Sequence, residues 1–189
     1  MWCGGRTLRL RSAARSLTES RSRVGFDERA AIALKRLASI LDDELQAVER
    51  ITATIQKILV MSKTDENEWL RIRALAFELE RLYTACESLL VRVLKDIDGS
   101  EPVGAHHHRE TLTASAVAID GVRPAVIAPR TKDLLDELRR FRHFARHDYG
   151  TAPNFERVDE VARRALEASQ AFAIDVRAFI GALRDEAKA

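Results

Sequence analysis

The sequence predicts an all-α fold, an antiparallel bundle of about five helices. Three observations predict it. Apolar residues recur in alternating steps of three and four over long stretches, which puts them on one face of a helix. Only 8 Gly and 4 Pro punctuate the 189 residues, so the elements are few and long. The chain is 46% hydrophobic and 32% charged, the balance of an ordinary soluble helical domain with one core.

The first 24 residues stand apart. Six Arg (Arg6, Arg9, Arg11, Arg15, Arg21, Arg23) face one acid, Glu19, so this segment carries +5 and the remaining chain −3. It has no apolar stretch of the kind a secretory signal needs. A disordered basic extension over residues 1–24 is expected. An organellar presequence or an over-long reading frame would look similar. The folded domain is expected over residues 25–189. A body of net negative charge does not hold nucleic acid by bulk charge, so any grip on RNA has to be local.

The first helix is expected from Asp27, with Leu34, Leu37, Leu41, Val48, Ile51, Ile55 and Ile58 on its apolar face. Glu44 breaks one position of that stripe, with Leu45 beside it. After Ser62–Thr64, Asp65 and Glu68 make a D-x-x-E pattern that resembles a capping box. Trp69, Ile72, Ala76, Leu79, Tyr83, Cys86, Leu90, Val93 and Ile97 then form the apolar face of the second helix. Residues 99–104 read as a loop and 106–118 as a short helix. From Gly121 to Pro129 two prolines bar helix continuation, which predicts an extended connection. A charged helix follows from about Thr131 to Tyr149, and Gly150, Pro153 and Asn154 end it. The last helix carries Phe155, Val158, Ala162, Ala165, Ser169, Phe172, Val176, Phe179 and Leu183. Each of these stripes is expected in the core. No stretch approaches the ~20 continuous apolar residues of a membrane span, so no membrane association is expected. Cys3 and Cys86 form no ligand or disulfide pattern, which fits a reducing cytoplasm.

The charged helix holds the candidate chemistry. Leu134, Leu138, Phe141 and Ala145 form its apolar face, and Arg139, Arg142, Arg146 and Tyr149 the next stripe. Arg140, His143 and His147 point almost directly away from the core. Acids early and bases late suit the helix dipole, and a solvated cationic face is the plain explanation. The dipole does not account for two His and a Tyr interleaved with Arg, a set that could hold a phosphate and move protons. If these side chains turn off their own core, a lone copy leaves them in water. A second copy across this face would wall a cleft, so a homodimer is expected.

Residues 142–149, Arg142-His143-Phe144-Ala145-Arg146-His147-Asp148-Tyr149, resemble the R-x4-6-H-x-Y signature of HEPN domains, in the form found in HepT-like toxins. The lead-in Leu134–Phe141, His108-Arg109-Glu110 and Gly121–Ile127 are also similar to HepT-type sequence. The similarity covers residues 27–185 in layout and is specific across about 106–150. It implies a homodimeric bundle acting as a metal-independent endoribonuclease toxin, without a cofactor, beside a small nucleotidyltransferase antitoxin. On this resemblance Arg142 would hold the scissile phosphate and His147 would act as acid or base. Arg139, Arg146 and His143 would bind RNA phosphates. Tyr149 would position phosphate or accept AMP from the antitoxin. The alternative is a non-catalytic protein of this type that binds RNA or the nucleotidyltransferase.

His106, His107 and His108 depart from the pattern. Neighbours on a helix splay ~100° apart and do not all reach one metal, so no metal site is expected. His108 either lines the same cleft or sits in a surface loop. The Arg-rich first 24 residues have no counterpart in the family.

Overall fold

The computed structural model describes residues 20–62, 64, 67–147 and 155–188; of residues 20–27, 143–147 and 155 it describes the backbone path alone. Five helices follow one another: α1 (Ser20–Leu59), α2 (Glu68–Val93), α3 (His107–Ser115), α4 (Pro129–His147) and α5 (Phe155–Glu186). Among the described residues there is no strand, and an isolated bridge joins Ile119 to Arg123.

Cross-helix polar pairs give the directions. Asp42, Glu49 and Thr52 of α1 meet Arg184, Arg177 and Ser169 of α5 in reverse order, so α1 and α5 run antiparallel. Likewise Arg130 and Glu137 of α4 meet Glu167 and Arg164 of α5, again in reverse order. Arg92 near the end of α2 reaches Glu44 of α1 at 2.6 Å. The result is an antiparallel bundle in which α2 touches α1, α4 and α5, and α3 lies across α2 and α4.

The expected stripes fill the core. Leu37, Leu41, Val48, Ile51, Ile55 and Ile58 of α1 are buried, and Leu45 fills the place beside Glu44. On α5, Val158, Ala162, Ala165, Ser169, Phe172, Val176, Phe179 and Leu183 are buried, while the Phe155 side chain lies outside the described residues. Trp69 is a correction: it heads the apolar stripe of α2 yet is half exposed, with the Arg73 guanidinium 4.6 Å above its ring. Leu75, Leu82 and Leu89, off that stripe, are buried instead. A helix flanked by four others buries a wider arc than one stripe.

Helix boundaries also differ in places. The first helix begins at Ser20 rather than Asp27; residues 1–19, with most of the expected basic extension, lie outside the described residues. The second begins at Glu68, with Asn67 in the N-cap position and no side-chain cap, and Asp65 of the expected capping box lies outside the described residues. Pro129 opens α4 rather than preceding it, since its missing N–H costs nothing in a first turn. At its far end α2 runs into a π turn over Leu94–Asp98, closed by Gly99 at φ 74°, a left-handed position suited to glycine.

Two buried arginines tie the elements that carry the site. Arg71 of α2 donates to both oxygens of Asp159 on α5, at 2.8 and 3.0 Å. Arg123, in the connection before α4, donates to both oxygens of Asp98 at 2.6 and 2.7 Å and to the carbonyls of Val117, Pro124 and Ala114. Asp175 of α5 accepts from the Ala128 N–H at 2.8 Å and the Thr131 hydroxyl at 2.6 Å. Orphan donors at a helix start need such a partner. The start of α4 is therefore fixed from two sides.

Candidate functional site

Arg142 lies four turns along α4. Leu138 and Phe141 beside it are buried, and this places its guanidinium at the seam between α4 and α2. Its side chain is only 14% exposed, which corrects the expectation that it turns off the core. The reason is geometric: α4 packs on α2 as well as on α5, so two of its faces are covered.

On α2, Glu80, Tyr83 and Glu87 share one face at helical spacing and meet this guanidinium. Arg142 Nη1 stands 3.5 Å from Glu87 Oε2, and its Nε 3.8 Å from Glu80 Oε1. The guanidinium carbon lies 5.6 Å over the Tyr83 ring. Both carboxylate distances exceed the 2.7–2.9 Å of a tight charge-assisted bond. The buried Nε–H has no hydrogen-bond partner among the described residues. The carboxylates position this cation without saturating its donors.

Helix α3 adds His108 to the group. Its Nδ1–H donates to Glu87 Oε1 at 2.5 Å, and the Tyr83 hydroxyl donates to the same oxygen at 3.1 Å. The His108 and Tyr83 rings meet edge to face, with centroids 6.4 Å apart. One carboxylate thus joins three helices, holding His108 and Tyr83 on one oxygen and Arg142 on the other. Burial pushes the Tyr83 phenol far above its ordinary range. The neighbouring Glu87 charge and hydrogen bond raise it further, against the pull of Arg139 and Arg142. Tyr83 stays a neutral donor.

His107 and His108 tilt toward each other, with centroids 3.7 Å apart rather than fully splayed. His107 Nδ1–H donates to the Gly104 carbonyl at 2.7 Å, so the two rings are tied to different partners. Among the described residues no three His, Cys, Asp or Glu side chains gather as a metal site. Of the remaining candidates, Arg139 is bound to Asp136 at 2.7 Å, and Arg140 shares that carboxylate at 3.2 Å. The backbone of α4 carries His143, Arg146 and His147, but their side chains lie outside the described residues, as does Tyr149 altogether.

Residues 74–183, more than half of the chain, match the family described as HepT-like protein. The chain belongs to the HepT-like family. No curated protein matches it. The matched span of this HepT-like protein takes in most of α2 and all of α3 and α4, and hence the whole Glu80, Tyr83, Glu87, His108 and Arg142 cluster. Its described helices include none long and apolar enough to cross a membrane.

Glu80 and Glu87 are the site residues that sequence reading missed, and Tyr83 was placed among core residues. Tyr83 is indeed fully buried, but its hydroxyl works inside the cluster. The signal was present. Acids three before and four after a tyrosine make a polar stripe on a helix that also has an apolar face.

Proposed function

We propose that this HepT-like protein is a metal-independent endoribonuclease. It would act in the cytoplasm as the toxin of a pair whose antitoxin is a small nucleotidyltransferase. The observation that carries the reading is the incompletely satisfied Arg142 guanidinium at the α2–α4 seam, five positions before His147 on the same helix. An anion offering short acceptors competes well for such a cation. Arg142 binds the scissile phosphate and stabilises the charge that develops on it. The imidazole of His147 moves a proton during attack by the adjacent ribose 2′-OH or departure of the 5′-oxygen. His143, Arg146 and Arg139 hold flanking phosphates, Arg139 by leaving Asp136. Tyr149 positions phosphate or accepts AMP from the partner. Two copies form the working unit, each supplying one α4 end to a shared cleft.

The test is incubation of the purified chain with RNA in EDTA beside the double variant Arg142→Ala/His147→Ala. Cutting by the wild type and none by the variant is expected. Equal cutting by both overturns the assignment. Sedimentation should give a dimer at micromolar concentration, and a stable monomer removes the shared cleft. A second reading, a non-catalytic protein that binds RNA or the nucleotidyltransferase, is favoured by one observation. Arg139 and Arg142 already face carboxylates in the unliganded chain. Binding of RNA without cleavage would select it.

A further inference from the structure

Cleavage by 2′-OH attack needs two proton transfers, one from the nucleophile and one to the leaving oxygen, and the motif on α4 offers His147 for one of them. We infer that His108 is the general base, accepting the 2′-OH proton at Nε2 while Glu87 holds its Nδ1–H. The inference rests on the ribonuclease reading and supplies its second proton-transfer group.

Three observations support the role. The hydrogen bond from Nδ1 to Glu87 fixes which tautomer the neutral ring adopts, with its proton on Nδ1, because a carboxylate oxygen can only accept. The lone pair of that tautomer is on Nε2. The His108 side chain is 34% exposed while Glu87 is 11%, so a partly open ring is anchored through Nδ1 to a largely buried carboxylate. The same carboxylate faces Arg142, so base and phosphate-holding cation are placed by one group on a rigid helix. This is the arrangement by which a buried acid orients a catalytic imidazole and stabilises the imidazolium formed when it takes a proton. The charged and titratable groups facing His108 are Glu87 and Tyr83 from α2, Arg142 and Arg139 behind them on α4, and His107 on its own helix.

The step balances without any further reactant. The 2′-oxygen bonds to phosphorus as its proton passes to His108 Nε2. The bond from phosphorus to the 5′-oxygen breaks, and that oxygen takes a proton from the His147 imidazolium. The products are a 2′,3′-cyclic phosphate and a 5′-hydroxyl. His147 is thereby the acid.

The discriminating variant is His108→Asn, whose amide N–H keeps a donor toward Glu87 but offers no proton acceptor in place of Nε2. His108→Gln serves as a second version, and the exposed His106→Ala as the control that keeps full activity. Cleavage is measured on an oligonucleotide spanning the cut mapped with the wild type, and on the same oligonucleotide with a bridging sulfur in place of the 5′-oxygen. A sulfur leaving group needs no protonation. Loss of about 10²–10⁴-fold is expected for His108→Asn, the range for removal of a general base. Its rate–pH profile should lose the acidic limb, and melting should match the wild type. Sulfur should restore His147→Ala and leave His108→Asn impaired. Activity of both His108 variants within a few fold of wild type overturns the inference while leaving the ribonuclease reading intact. Restoration of His108→Asn by sulfur overturns it in favour of an acid role. Wild-type protein inert toward RNA overturns both.

Discussion

Exchange of Glu87 for Gln keeps the volume of the side chain and removes its charge and half its accepting capacity. In the native cluster Oε1 accepts from Tyr83 and His108, and Oε2 faces Arg142. Glutamine has one accepting oxygen and an amide group that only donates. With its oxygen toward His108 and Tyr83, the amide opposes the guanidinium; turned round, it opposes the other two donors. Either way a hydrogen bond involving a charged group is lost at a site where water does not replace it, since Glu87 is 9% exposed. Such a bond contributes about 1.5–3 kcal/mol. Urea unfolding at neutral pH should show that loss for Glu87→Gln. Arg142→Met should cost a similar amount, and the double variant less than the two together by at least ~0.5 kcal/mol, the sign of direct coupling. A Glu87→Gln protein within ~0.5 kcal/mol of wild type, or additive single effects, would refute the account of the cluster as a coupled unit.

Arg71→Met should destabilise the fold by about 3–5 kcal/mol, because it takes two hydrogen bonds from a buried Asp159. Arg71→Met/Asp159→Leu should recover most of that loss in the same urea titration. Tyr83→Phe should change alkaline stability. Burial raises the native phenol above the unfolded value near 10, so the unfolded chain ionises first and native stability declines as pH climbs past that value. The difference between wild type and Tyr83→Phe, measured from pH 8 to 11, should hold constant at the value set by the lost hydrogen bond to Glu87 and change with pH only above about 10. Burial also pushes the Cys86 thiol upward and hides it completely. A disulfide reagent should leave it unlabelled in the native protein and modify it in denaturant, which makes it a probe of global opening.

The bundle was legible because α1, α2 and α5 repeat their apolar residues at a spacing only a helix brings to one side. The site was legible in part. Arg142 stood out for its company on α4, whereas Glu80 and Glu87 looked like ordinary surface acids of α2. An acid beside a core stripe is solvated or sequestered according to which helix lies alongside, and that depends on packing rather than on the local pattern. Trp69 shows the converse, since an apolar residue in perfect register stays half exposed beneath the Arg73 guanidinium. Arg71 and Arg123 were equally opaque: a charged residue is buried only where a partner distant in sequence meets it, as Asp159 and Asp98 do.

The clasp of Asp175 on the first turn of α4 turns that helix into a measuring rod. Thr131 is held at one end and Arg142 faces Glu87 eleven residues on, about 16 Å along the axis at 1.5 Å per residue. Both length and angular phase are set by that count. One inserted residue between them would swing everything downstream by about 100° and carry Arg142 off α2. Seven would restore the phase almost fully, yet leave the guanidinium about 10 Å beyond its carboxylates. Within this scaffold the spacing from clasp to cation tolerates substitution along the helix but no change in number.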